Sequence, residues 1–204
     1  MRMPQHTDYA LRMLIYLAAR LQGSCTVGEV ADAYGLSRNH LLKVALRLGR
    51  LGVIATTRGR SGGIRMALRP EEINLGALVR RTEDDFSVVE CMQDAGGACA
   101  ISPACRLKGV FAEALEAYLA VLDRYTLADV VRNRAGLRPL LGIDAGEFGL
   151  KPDAANDQTQ ILQRGIDRAA QARLPLILPP GTYRAAGLRL PTNAKIAGIR
   201  GATR

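Results

Sequence analysis

The sequence predicts a mainly helical fold with one small β-hairpin, followed by a short α/β segment at its C-terminal end. Three observations predict it. Apolar residues recur at three- and four-residue spacing in stretches near 8–21, 27–34, 38–51, 70–81 and 105–125. Two short β-prone runs, Val53–Thr57 and Ile64–Leu68, flank the turn-like Arg58-Gly59-Arg60-Ser61-Gly62-Gly63. From about Ile143 the pattern changes to brief apolar runs broken by proline and glycine.

The 204 residues suffice for one ample domain and part of another. A hydrophobic fraction of 48% argues against disorder. No apolar run approaches the roughly 18 residues of a membrane span, and nothing near Met1 reads as a signal peptide. A cytoplasmic location and no membrane partner are therefore expected. The formal net charge of +9 suits an anionic partner. Its placement is more telling. Between Ala33 and Pro70 no acidic residue occurs, while Arg38, Lys43, Arg47, Arg50, Arg58, Arg60, Arg65 and Arg69 do. A solvated basic face is the bland explanation; phosphate contacts are the sharper one.

Each element has its own justification. Thr7 is placed to cap a helix over about Asp8 to Leu21, with Leu11, Leu14, Ile15 and Ala18 on one face. Thr26 and Glu29 form a capping box that opens a helix from Val27 to Tyr34, which Gly35 ends. Ser37 is placed to cap a third helix, Arg38 to Leu51, with Leu41, Leu42, Val44, Ala45 and Leu48 expected in the core. Two helices joined by a tight glycine-containing turn make a helix-turn-helix. The second would enter the DNA major groove with Ser37, Arg38, Asn39 and His40 at its leading end, followed by Lys43 and Arg47. Asn pairs with adenine and Arg with guanine. The hairpin that follows is then a wing, whose Arg58, Arg60 and Arg65 reach DNA. Its glycines do not have P-loop spacing. A helix is expected from Pro70 to about Arg81, and a long one from Cys105 to about Tyr125. The long helix carries a broad stripe from Leu107 through Val110, Phe111, Ala114, Leu115, Tyr118 and Leu119 to Leu122. It is expected to pair with its twin across a homodimer axis, which suits a palindromic double-stranded DNA operator.

Ahead of that helix, Cys91, Cys99 and Cys105 are separated by seven and then five residues. In a reducing compartment such a cluster reads as metal ligands or redox groups before it reads as disulfides. Structural zinc favours shorter paired spacings, so it fits less well. Three thiolates leave a metal centre one cysteine short of a full set. Cys25 stands apart and reads as a small buried residue. No nucleophile–base arrangement is visible, and an enzyme is not expected.

Residues 1 to about 143 resemble the NsrR and IscR group of winged-helix iron–sulfur regulators, and the NsrR branch most of all. The resemblance lies in Thr7-Asp8-Tyr9-Ala10-Leu11-Arg12, Ser37-Arg38-Asn39-His40-Leu41, the wing Arg58 to Gly63, Val89-Glu90-Cys91, the run Cys99 to Lys108, and Tyr125-Thr126-Leu127-Ala128-Asp129. It implies a repressor of nitric-oxide detoxification genes, derepressed when nitric oxide destroys a cluster of 4Fe–4S or 2Fe–2S type. It implies Cys91, Cys99 and Cys105 as ligands, and Asp8, donated by the other subunit, as the fourth. Read on its own, Asp8 is an acid stabilising a helix N-terminus. The IscR branch implies a histidine shortly after the third cysteine; Arg106-Leu107-Lys108 stands there instead. A regulator sensing iron–sulfur supply or redox state is the alternative. Loss of the cluster is expected to free the loop about Gly96 and Gly97.

The stretch 144–204 is expected to be a separate unit. It resembles the cap and first coil of a pectate-lyase-like β-helix, through Phe148-Gly149-Leu150-Lys151-Pro152, the apolar face Ile161, Leu162, Ile166 and Ala169, and Leu174 to Tyr183. One coil does not close a solenoid core, so it reads as a fragment without activity of its own.

Overall fold

The computed structural model describes residues 4–19, 24–57, 63–93, 99–102, 104–179, 181–198 and 203. At its centre lies α1 (Gln5–Ala19), whose Ala10, Met13, Leu14, Tyr16, Leu17, Ala18 and Ala19 are buried. Full burial of each large apolar side chain contributes about 1.5–3 kcal/mol, so this helix is the natural organiser of the N-terminal core. The helix begins one turn before Asp8. Thr7 is therefore inside it and not at its cap; its hydroxyl is fully buried and donates to Thr82 Oγ1 at 2.8 Å.

α2 (Val27–Tyr34) starts at the expected capping box, with Glu29 N donating to Thr26 Oγ1 at 3.1 Å and Thr26 N to Glu29 Oε2 at 2.6 Å. It stops at Gly35, whose φ of 63° is left-handed. α3 (Arg38–Arg50) follows, although Ser37 makes no side-chain cap bond. Leu41, Val44, Ala45 and Leu48 enter the core as expected, but Leu42 does not: it is 48% exposed. The buried residues lie within one arc of the helix, and Leu42 falls outside it at 100° per residue.

β1 (Ile54–Thr57) and β2 (Gly63–Met66) pair antiparallel, Ile54 opposite Met66 and Thr57 opposite Gly63. Reciprocal bonds between Cys25 and Ile64, at 2.9 and 2.7 Å, tie the approach to α2 onto the hairpin. The wing tip, with Arg58 and Arg60, lies outside the described residues.

The helix expected from Pro70 is two elements. A single 3-10 turn, Pro70–Glu72, is followed by α4 (Leu75–Thr82), because Asn74 leaves the helix and caps α4 through Ala77 N at 2.9 Å. α5 (Leu107–Asp123) has no buried residue. Its C-terminal end is anchored to α4: Asn74 Nδ2 donates to Asp123 O at 2.6 Å, and Arg80 Nη2 to Asp123 Oδ2 at 2.8 Å. Gly76 permits this approach, since a Cβ there would meet the Asp123 carboxylate. α6 (Leu127–Val130) and α7 (Arg134–Leu141) return to α1.

After α7 the chain forms a second buried cluster around Ile143, Ala145, Leu150, Leu162, Ile166, Ala169 and Leu176. β3 (Ile143–Asp144), β4 (Leu176–Leu178) and β5 (Ile196–Gly198) make a parallel sheet in that order, with α8 (Thr159–Ala172) packed on it. Buried Gln158 exchanges two 2.8 Å bonds with the backbone of Lys151, fixing the entry to α8. Lys195 Nζ reaches Asp32 Oδ1 on α2 at 3.4 Å. No described helix is long and apolar enough to cross a membrane.

Candidate nucleic-acid interface and metal centre

The outward surface of α3 is built by elimination. Four residues commit one side to the core, so the opposite side presents Arg38, Asn39, Lys43 and Arg50, all exposed, with Leu42 and Leu46 among them. Ser37 and His40 are also exposed at its leading end. The His40 ring lies 6.3 Å from that of Tyr9, tilted by 35°. Arg65 is exposed on β2. The structure thus leaves Ser37, Arg38, Asn39, His40, Lys43 and Arg65 open to a ligand.

Arg47 is placed differently. Its Nε and Nη2 donate to Arg81 O at 3.2 and 2.9 Å, and Nη2 also meets Asp84 Oδ1 at 2.9 Å. It clamps the C-terminal end of α4 to α3, where helix carbonyls lack partners of their own. Sequence alone did not reveal this second use, because the partner lies 34 residues away.

None of the four cysteines is in a disulfide. Cys91 lies half-buried in the 3-10 turn Glu90–Met92, Cys99 is exposed, and Cys105 is half-buried just before α5. Cys25 is buried, as expected. Successive turn bonds, Ser102 N to Cys99 O at 3.0 Å and Ala104 N to Ile101 O at 3.0 Å, shape the approach to α5. Gly96 and Gly97 lie outside the described residues. Among the described residues no three His, Cys, Asp or Glu side chains meet in a group that could hold a metal. The donor chemistry nevertheless fits a thiophilic centre: three undisulfided thiols follow one another on a single segment.

Asp8 sits in the first turn of α1, half-buried, and accepts from Arg12 Nε at 3.0 Å. The Arg12 guanidinium lies 5.9 Å from the centroid of the Tyr34 ring. Its bond to Asp8 raises its own pKa. Burial pushes the Tyr34 hydroxyl up to about 12, against the pull of Arg12. Tyr34 ends α2, three residues before α3 opens at Ser37. Arg12 was not singled out from the sequence, though its four-residue spacing from Asp8 is an ion-pair signal.

A helix-turn-helix, a two-stranded wing and an acid-free basic helix face define a DNA-binding transcriptional regulator of the winged-helix class, and not an enzyme. Over residues 3–133 the chain matches the Rrf2 family, described as an iron-dependent transcriptional regulator. The chain belongs to the Rrf2 family. It is 52% identical over 142 residues to the HTH-type transcriptional regulator NsrR of Bacillus subtilis, a match covering 69% of this chain and 97% of that one. The NsrR of Shouchella clausii is 51% identical over 142 residues, covering 69% and 95%. Among solved structures, CymR of B. subtilis superposes with a TM-score of 0.52 at 26% identity, covering 65% of this chain and 98% of that one. T. potens IscR gives 0.51 at 25%, covering 65% and 88%.

Proposed function

We propose that the chain is a homodimeric transcriptional repressor that senses nitric oxide through an iron–sulfur cluster, of 4Fe–4S or 2Fe–2S type, and leaves its operator when that cluster is lost. The observation that carries this is the cysteine triad at 91, 99 and 105 within a stretch of 142 residues that is 52% identical to a regulator named NsrR. Cys91, Cys99 and Cys105 would hold the cluster, with the partner subunit's Asp8 as fourth ligand. When bound, the cluster would offer nitric oxide an iron that lacks a cysteine.

The chain's own residues supply the rest. Arg12 holds Asp8 in place and leans on Tyr34, so a pull on Asp8 is felt at the turn that sets α3. The apolar stripe of α5, with Val110 57% exposed and no residue buried, suits a helix that pairs with its copy. Two such subunits would present two α3 helices to a palindromic duplex. Ser37, Arg38, Asn39, His40, Lys43 and Arg65 would face it, joined by Arg58 and Arg60 of the wing. Arg47 would act first as a clamp. Residues 1–143 would be the cytoplasmic regulator and 144–204 an appended unit; the two buried clusters support two units, with the change falling just before Ile143, which packs in the second. Sensing of iron or cluster supply is the second reading, favoured by the family's description as iron-dependent.

Anaerobic purification tests the proposal. The visible spectrum, iron and sulfide content, and duplex binding are followed during a nitric oxide titration. A brown protein that bleaches and releases DNA at a few nitric oxide per cluster is expected. A colourless protein whose DNA binding ignores nitric oxide overturns the sensor reading and leaves the DNA-binding one intact.

A further inference from the structure

Two leucines on α3 face away from the core, and one of them, Leu42, was expected to join it. Leu42 is 48% and Leu46 is 56% exposed. A lone exposed leucine needs no explanation. These two are successive on one row of the helix, Arg38, Leu42, Leu46, at four-residue spacing. Asn39 and Lys43, both exposed, flank Leu42. They form an apolar strip between hydrogen-bond donors and cations, within the segment from 33 to 70 that holds no acid. That charge pattern argues for a polyanion against this face, and against an acid-balanced protein partner.

A polyanionic duplex offers an apolar target in one place. In the major groove thymine shows a C5-methyl group, whereas adenine, guanine and cytosine show hydrogen-bonding edges there. A leucine laid over a cytosine amino group or a guanine O6 displaces water without replacing its hydrogen bond, which costs affinity. Over a thymine methyl it buries apolar surface on both sides. Asn39, one turn before Leu42, suits adenine. Leucine and asparagine on one face therefore favour the same A·T-containing steps.

We propose that Leu42 and Leu46 read thymine methyl groups in the operator's major groove and so set part of its sequence specificity. This rests on the DNA-binding reading above. Full-length protein, purified without oxygen, selects duplexes from a random-sequence pool. The selected site is then resynthesised with deoxyuridine in place of thymidine, one position at a time, which removes only the methyl. The wild-type chain should bind about fourfold more weakly at each methyl it reads. The Leu42→Ala/Leu46→Ala chain should bind thymidine and deoxyuridine sites equally, and it should remain folded, because about half of each side chain lies outside the core. Indifference of the wild type to every replacement overturns the proposal, as does full discrimination retained by the double variant. A double variant that changes oligomeric state while still discriminating marks the strip as a protein contact and overturns it too. If no duplex is enriched at all, the DNA-binding reading itself falls, an outcome distinct from the others.

Discussion

Arg12 and Asp8 form an ion pair at 3.0 Å on consecutive turns of α1, and the same guanidinium stands 5.9 Å from the Tyr34 ring at the end of α2. An acid near the start of the first helix is thereby joined to the last residue before the turn into α3. One arginine side chain thus spans the two helices, bonded to the acid at one end and lying near the ring at the other.

That geometry has a pH signature. The Tyr34 hydroxyl is raised from 10.0 to about 12, mainly by burial, so the fold favours its neutral form. A group raised on folding contributes stability that is complete below its unfolded pKa and is lost as pH climbs through the folded one. Stability should therefore fall across pH 10 to about 12. Tyr34→Phe keeps the ring under Arg12 and removes the hydroxyl. Chemical denaturation of the two proteins across that window should show a shallower alkaline decline in the variant, and parallel curves refute the assignment.

The four cysteines should divide three to one. Cys91→Ala, Cys99→Ala and Cys105→Ala are each expected to abolish the visible absorption of anaerobically purified protein, together with strong operator binding. Cys25→Ala should keep both, and lower stability by about 1 kcal/mol, because it only trims a buried side chain tied by its backbone to Ile64. A coloured Cys99→Ala protein would remove that residue from the ligand set.

Arg38, Asn39 and Arg47 share a helix but not a fate. Arg38→Ala or Asn39→Ala should weaken specific binding by about 1–3 kcal/mol if the side chain reads a base, with little loss on random duplex. Arg47→Ala frees Arg81 O and Asp84 from their donor. It should lower stability by up to about 1 kcal/mol, the scale of an exposed ion pair, and weaken both kinds of duplex alike. Fluorescence anisotropy with the two duplexes, beside a urea titration, separates these outcomes.

Thr7 is a buried anchor. Its hydroxyl donates to Thr82, whose own hydroxyl donates onward to Leu78 O at 3.1 Å. Thr7→Val preserves shape and removes the donor. The expected loss is about 0.5–1.5 kcal/mol, measured by urea unfolding; an unchanged midpoint would show that the bond contributes nothing net.

Much of this was legible in the chain. The Thr26–Glu29 capping box, Gly35 and the acid-free basic helix are local signals, and their physics acts within one or two turns. They determined the helix-turn-helix, while the β-prone runs around the turn 58–63 determined the hairpin and the apolar stripe determined the long helix; the cysteine spacing raised the expectation of a metal. What only the tertiary structure decided involves partners far apart along the chain. Periodicity named Leu42 apolar, but which arc of α3 meets α1 set it outside the core. Thr7 looked like a cap until Thr82, 75 residues on, accepted its hydrogen bond. Arg47 read as a charge for DNA, and only the fold shows that it also binds Arg81 O and Asp84. Side-chain type fixes what a residue is able to do, and the packing of distant elements chooses which of those things it does.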